Sequence, residues 1–108
     1  MKRWRVDLAP LARREVRIHA NRIADDSPAS AIRFFAATRA TAKGLERFPR
    51  AGSPCDDWHP DLAGIRRCAV KGFPRHLFFY EVEEDAVWII RVLHGSQDLV
   101  AALLGEMH

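Results

Sequence analysis

Two apolar runs on either side of a short acidic turn constrain the fold of this chain more than any other feature. Residues 77–80 (Leu-Phe-Phe-Tyr) and 87–90 (Val-Trp-Ile-Ile) are apolar at every position, as is typical of strands that are buried on both faces. The acidic turn at 83–85 separates the two runs as a hairpin loop would. The sequence therefore predicts two neighbouring antiparallel strands, at 75–83 and 86–94, in the centre of a sheet.

The region before this hairpin predicts a strand followed by two helices. Residues 4–8 alternate in polarity as a short strand does, and Pro10 suits the first turn of a helix whose apolar residues recur at helical spacing. Ser27 is a good N-cap for a second helix with Pro28 in its first position. That helix ends before Pro49, because a residue that precedes proline disfavours helical geometry. We expect the two helices to form an antiparallel hairpin.

The remaining segments complete a small α+β domain. Residues 49–64 predict a loop rich in proline, glycine and aspartate, residues 65–70 predict another strand, and residues 98–107 fit a short C-terminal helix. The expected fold is an N-terminal strand and an antiparallel helical hairpin packed on a small antiparallel sheet, in the order βααβββ. We predict one domain over residues 1–108, with four strands and one sheet face partly open to a partner.

The length and the apolar pattern exclude several classes of protein. No apolar run approaches the roughly 20 residues of a membrane helix, so we expect no association with a membrane. The basic start of the chain is not followed by the apolar stretch of a secretory signal. We therefore expect a cytoplasmic protein in which Cys55 and Cys68 are free thiols.

Potential metal ligands are present but poorly spaced. Cys55, His59, Cys68 and His76 match none of the common zinc patterns. The sequence also lacks a glycine-rich phosphate loop. We therefore predict neither a metal nor a cofactor.

Positive charge is concentrated in the first half of the chain. Residues 1–50 carry 12 Lys and Arg against 5 Asp and Glu, whereas residues 51–108 carry 5 against 9. Most of the cations are arginines, whose guanidinium groups form forked hydrogen bonds with carboxylates and phosphates. The basic half favours an acidic partner, although a solvated helix surface would have the same composition.

Several short segments, in order along the chain, match a known family pattern. In residues 45–54, Phe-Pro is followed by Gly and Pro, and further matches lie at 65–66, 76–82, 89–95 and 98–99. Together these segments resemble ParE-like toxins of bacterial toxin–antitoxin pairs. The family usually has an arginine before the final Asp-Leu, where this chain has Gln97.

The resemblance implies the fold of the ParE/RelE superfamily and the function of a toxin in a type II toxin–antitoxin system. ParE members usually inhibit growth by binding DNA gyrase and take part in plasmid stabilization. A cognate antitoxin neutralises them within a hetero-oligomer. RelE relatives instead cleave messenger RNA on the ribosome, and this endoribonuclease activity is the alternative, since fold alone does not separate the two. A relative that has lost toxicity and serves as an interaction module is a third reading.

A toxin that acts by binding needs exposed arginines and apolar anchors, and it needs no nucleophile. The candidates for contact with the antitoxin or the target lie in the first predicted helix, the loop at 49–64 and the predicted C-terminal helix: Arg13, Arg14, Arg17, Trp58, Leu99, Leu103 and Leu104. Simpler explanations are a solvated arginine face, a tryptophan lid over the core and a final helix packed on its own core. We favour binding over catalysis and assign no catalytic residue.

A ribonuclease would need a base, an acid and cations beside the phosphate. The resemblance to RelE relatives implies these candidates for such a site: Arg66, Arg75, Tyr80, Arg91 and His94. Arg66 and Arg91 could instead form ion pairs, and Tyr80 could fill the core. Arg91 and His94 should lie on opposite faces of a regular strand, which weakens a shared site.

Overall fold

A computed structural model describes residues 2–106 and confirms the α+β class. The elements in chain order are β1 (Arg5–Leu8), α1 (Pro10–Asp26), α2 (Pro28–Leu45), β2 (Ser53–Pro54), β3 (Ile65–Val70), β4 (Phe73–Val82), β5 (Ala86–His94) and α3 (Leu99–Glu106). A short 3₁₀ turn, Pro60–Leu62, lies between β2 and β3. Met107, the last residue expected in the final helix, lies outside the described residues.

The two long helices begin where the sequence predicts. Pro10 and Pro28 occupy their first turns, where the missing amide hydrogen has no cost. The Ser27 hydroxyl accepts a hydrogen bond from the Ser30 amide at 3.2 Å, which confirms Ser27 as the N-cap of α2. The helices form a hairpin that packs on the sheet with Phe34 fully buried beneath it.

The sheet has five strands in the order β1-β5-β4-β3-β2, one more than expected, and it is mixed. β1 runs parallel to β5, with Arg5 opposite Ala86 and Leu8 opposite Ile89. The other neighbouring strands are antiparallel, and the added strand β2 is formed by two residues of the expected loop. Polarity patterns indicate which residues form strands but not in which direction a distant strand pairs, so the parallel contact is not evident from them.

A β-bulge shifts the register of the central hairpin by one residue. The register changes between Phe79 and Tyr80, so one residue of β5 has no partner on β4. Beyond the bulge, each β4 residue faces the β5 residue one position later than in a regular hairpin. His76 therefore lies directly opposite His94.

Apolar side chains pack on both faces of the sheet. α1 and α2 cover one face over a core that includes Phe34, Phe78 and Val92. α3 and the segment between β2 and β3 cover the other face, where Leu62 and Leu103 are fully buried. The loop and the final helix thus cover part of the face that we expected to be partly open. Trp88, whose neighbours Val87 and Ile89 point into the first core, is 38% exposed on that face.

Candidate functional site

A groove lies on the outer surface where α1, α2 and the end of β1 meet. It encloses about 350 Å³. Its apolar wall is formed by Leu8, Val16, Phe35 and Ala42. The Phe35 side chain is 37% exposed, so its ring is available for contact. The groove therefore presents exposed apolar area between the two helices.

Three arginines stand around this groove. Arg13 and Arg17 are four residues apart on α1, so they share one face of that helix, and Arg39 comes from α2. The Nε of Arg13 donates to the carbonyl oxygen of Leu8 at 3.1 Å, which holds the guanidinium at the mouth of the groove. Within residues 2–106, none of the three has a carboxylate within 4.0 Å. Arg14, predicted to act with Arg13 and Arg17, does not line the groove.

An apolar floor with a cationic rim has a defined binding chemistry. An amphipathic segment can bury its apolar side chains on the floor while its acidic side chains pair with the arginines, as in helix-in-groove recognition. The positive rim would also speed the encounter with an acidic partner.

A family model described as "ParE toxin of type II toxin-antitoxin system, parDE" matches residues 6–99 of the chain. The chain belongs to this family. A comparison with curated proteins gave no significant match. The matched residues run from β1 to the first residue of α3, so they include the whole groove. As a ParE toxin of a type II system, the protein has an antitoxin as its partner.

In the part of the chain that the structure describes, no helix is both long and apolar enough to cross a bilayer.

A second polar cluster of this ParE toxin lies where α1 crosses the ends of β4 and β5. The rings of His19 and His94 each meet the ring of His76 edge to face, with centroids 5.0 and 4.9 Å away. Phe34 packs against His76 at 4.9 Å. Arg22 and Asp26 line the adjoining hollow of about 290 Å³. Three imidazoles are thus stacked in a partly buried interface, which sequence reasoning missed.

Hydrogen bonds orient the two outer imidazoles. The Nε2 of His19 donates to the Val92 carbonyl oxygen at 2.8 Å. The Nδ1 of His94 accepts from the Ser96 amide at 3.0 Å, so this nitrogen carries no proton. Burial, together with the neighbouring His19 and His94, lowers the pKa of His76 from 6.5 to about 4. The His76 imidazole is therefore uncharged at neutral pH.

We expect the ParE toxin to lose stability as the pH falls from about 6.5 towards 4. The pKa of His76 is lower in the folded chain, so in this window the unfolded chain binds a proton that the folded chain rejects. One such proton changes the free energy of unfolding by at most about 1.4 kcal/mol per pH unit, and partial exposure of His76 reduces this value. Urea unfolding at about pH 7 and pH 5 should show a smaller loss for His76→Gln than for the wild type. His59→Gln, a substitution outside the cluster, should leave the loss unchanged.

Two buried side chains of α1 complete the edge of β5. β1 pairs with β5 only as far as Ile89, so the next part of that edge lacks a strand neighbour. The Glu15 carboxylate accepts a hydrogen bond from the Val92 amide at 3.0 Å, and His19 bonds the Val92 carbonyl. Glu15 and His19 are one helical turn apart and both are buried. α1 thus supplies the polar contacts that another strand would have made.

Arg91 is committed to the same region. Its Nη2 lies 2.7 Å from Glu15 Oε2, and its Nη1 donates to the Ala102 carbonyl at 3.0 Å. The two side chains are only 14% and 11% exposed. Arg91 therefore links α1, β5 and α3. The ion pair that the sequence analysis gave as the alternative to a nuclease role for Arg91 is present in the structure.

The other proposed nuclease residues do not converge on one hollow with Arg91. Tyr80 is fully buried, and its hydroxyl accepts a hydrogen bond from the Gly52 amide at 2.9 Å. Arg66 Nη1 donates to the Gly52 carbonyl at 2.7 Å. Arg75 and His94 do line one shallow hollow at the ends of β4 and β5. Tyr80 and Arg66 thus hold the turn after α2 in place.

The apolar binding candidates are largely engaged within the domain. The Trp58 ring packs edge to face on Phe79 at 6.0 Å, and the Arg67 guanidinium lies 4.2 Å from its centre on the other side. Leu103 is fully buried, while Leu99 and Leu104 pack partly buried against the same core. A role of Trp58, Leu99, Leu103 or Leu104 in contact with a partner stays a prediction.

Proposed function

We propose that this ParE toxin inhibits growth by binding DNA gyrase, and that its antitoxin neutralises it by laying an acidic, amphipathic segment in the groove between α1 and α2. The observation that supports the second part is the groove itself, with an apolar floor and three arginines that lack a carboxylate partner in the described chain. We also propose that the toxin acts in the cytoplasm as one domain and forms a hetero-oligomer with the antitoxin.

The groove has what a tight, specific interface needs. Exposed aromatic and arginine side chains are enriched at positions that contribute most to binding. Here Phe35 lines the groove together with Arg13 and Arg17, and neither arginine has a carboxylate within 4.0 Å in the described residues. Because α1 and α2 are held by a buried core, the groove needs little ordering before it binds.

The positions of the nuclease candidates favour binding over catalysis. A catalytic base, acid and cation must meet around the reacting phosphate. Tyr80 is buried in the core, Arg66 clamps a turn and Arg91 is paired with Glu15. Each of these contacts stabilises the fold, so a structural role accounts for the presence of all three side chains.

A supercoiling assay tests the proposed target. Purified toxin should inhibit ATP-dependent supercoiling by gyrase, and the product of the short reading frame expected beside the toxin gene should restore it. Cleavage of messenger RNA on stalled ribosomes, with supercoiling unaffected, would support the RelE-type activity instead. No activity in either assay, together with no growth arrest on expression, would support a role as an interaction module.

Charge reversal in the groove tests how the antitoxin binds. Arg13→Glu with Arg17→Glu should weaken antitoxin binding about 30-fold or more at low salt, because two cations that face the partner become repulsive. Calorimetry at about 0.1 M and 0.5 M salt should show that the difference shrinks as screening increases.

The matched control for the single change Arg17→Glu is Arg14→Glu, which makes the same charge change on α1 outside the groove. It should alter the affinity by less than about threefold. Equal losses for Arg14→Glu and Arg17→Glu would show that overall charge, and not the groove, determines antitoxin binding.

A further inference from the structure

A second basic surface lies at the C-terminal end of α2, away from the groove side chains of α1. Arg3, Lys43 and Arg47 surround a hollow of about 440 Å³. Arg47 also borders a second hollow of about 450 Å³ with Phe48 and Arg50. We call these five residues the α2-end patch. Phe48 is 61% exposed, so a large apolar ring stands among four cations.

The cations of the α2-end patch are poorly compensated. Arg3 Nη1 lies 3.8 Å from Glu46 Oε1, a long contact between side chains that are 54% and 34% exposed. Lys43, Arg47 and Arg50 have no carboxylate within 4.0 Å in residues 2–106. The patch therefore keeps a net positive charge that nothing in the described chain neutralises.

The backbone beneath the patch is held rigidly. The amides of Arg47 and Phe48 donate to the Gly44 carbonyl at 3.3 and 3.1 Å, which turns the chain sharply after α2. The Trp4 amide donates to the Glu46 carbonyl at 2.8 Å and ties this turn to the start of the chain. The exposure of Phe48 is therefore a fixed property of the turn, and a ligand would not need to order it.

The chemistry of the patch distinguishes between two kinds of macromolecule. The core of a protein–protein interface is depleted of charge, whereas protein–DNA interfaces are polar and strongly positive. Lys43 and Arg47 are four residues apart on a helical path, a rise of about 6 Å. One strand of a DNA duplex carries a phosphate every 3.4 Å or so along the axis. Neighbouring cations of the patch can thus reach successive phosphates.

We propose that the α2-end patch binds the sugar–phosphate backbone of duplex DNA, with Phe48 in apolar contact with sugars or base edges. Ala40 and Gly44 line the hollow between the cations, so no bulky side chain keeps the backbone away. Phenylalanine is among the side chains that contact thymine methyl groups or insert between base steps. Arg13 and Arg17, the two groove arginines that the antitoxin variants change, do not border the patch, so substitutions can test the two surfaces separately.

Salt-dependent DNA binding tests the proposal on the full chain. Fluorescence anisotropy with a labelled duplex of mixed sequence should show binding that weakens steeply between about 50 and 200 mM salt. Lys43→Gln with Arg47→Gln should lower the affinity about tenfold or more. The double change should also reduce the slope of log K against log salt by about 0.9 for each cation removed. Phe48→Ala should lower the affinity without changing the slope.

The control is Arg14→Gln with Arg22→Gln, which removes the same charge from exposed positions of α1. It should change the affinity by less than about threefold and leave the slope unaltered. Urea unfolding of each variant confirms that it is folded.

Several results would overturn the proposal. These are no binding at about 50 mM salt, an equal effect of the control pair, or tighter binding of a single strand of the same sequence. Loss of growth arrest in the patch variants with unchanged DNA binding would show that the patch serves a protein partner instead. Inhibition of gyrase and affinity for the antitoxin are measured in their own assays, so failure of DNA binding is distinguishable from failure of the proposed function.

Discussion

Glu15→Ala is expected to lower the free energy of unfolding by about 3–5 kcal/mol, because it breaks a buried ion pair by removing one of its two side chains. Glu15 is 8% exposed, and its two carboxylate oxygens accept hydrogen bonds from Arg91 Nε at 3.1 Å. The substitution also removes the acceptor of the Val92 amide, a group at the uncovered edge of β5. A buried donor without a partner adds to the loss. Urea unfolding of the purified toxin measures the change.

Two comparisons separate the buried charge from a general effect of removing an acid. Glu46→Ala breaks the long surface contact with Arg3 and should cost less than about 1 kcal/mol. Adding Arg91→Met to Glu15→Ala should recover part of the stability, since an apolar side chain then replaces the buried guanidinium that lost its contact with Glu15. A loss of under about 1 kcal/mol for Glu15→Ala would show that water reaches Arg91 and screens it.

Gly52→Ala is expected to cost about 3 kcal/mol, because the added methyl group has no space. A Cβ at this position would lie 2.5 Å from both the Arg67 carbonyl oxygen and the Tyr80 hydroxyl oxygen. The first of these atoms is backbone of β3 and cannot rotate away. Relief of the contact must therefore move β2 and break the hydrogen bond from the Gly52 amide to Tyr80, which leaves a buried hydroxyl without that partner. Thermal and urea unfolding report the loss.

Gly44→Ala is the matched control for this prediction. A Cβ on Gly44 meets no atom within 4 Å, and the residue lies inside α2. Alanine is favoured over glycine in a helix by about 0.8–1.0 kcal/mol. Gly44→Ala should therefore leave the toxin as stable as the wild type or slightly more stable, whereas equal destabilisation by both substitutions would contradict the steric argument.

Local sequence signals predicted the elements of this fold well. The prolines and Ser27 mark the starts of α1 and α2, because capping depends on residues that are close together in the chain. The two apolar runs became β4 and β5, both with positions buried on each face of the sheet. These features depend on short-range patterns, which a single sequence contains.

Contacts between distant segments were not predictable in the same way. In the sequence, Glu15 looks the same as a solvent-exposed acid on the surface of α1. Its burial is explained only by its position beside Arg91 in the folded chain. The histidine cluster depends on the bulge near Phe79, which brings His94 opposite His76. A regular hairpin drawn from the sequence would be one residue out of register there.

The candidate site was predicted in part. The basic face of α1 was evident from the sequence. Periodicity alone did not show that Arg13 and Arg17 line the groove whereas Arg14 does not. The contribution of Arg39 and Phe35 depends on how α2 packs beside α1, which is a tertiary contact. Composition therefore indicated the charge of the surface, and the packing of the hairpin determined its shape.

The parallel pairing of β1 with β5 has a consequence for the order of events during synthesis. β1 is translated before the helical hairpin, whereas its partner β5 is the last of the five strands to be translated. Pairing across such a long stretch of chain is slow, since the ends must meet before any contact stabilises them. The helices can form from local contacts well before the sheet is finished. We therefore expect the nascent toxin to show its helical hairpin, with β1 unpaired, until β5 has been translated.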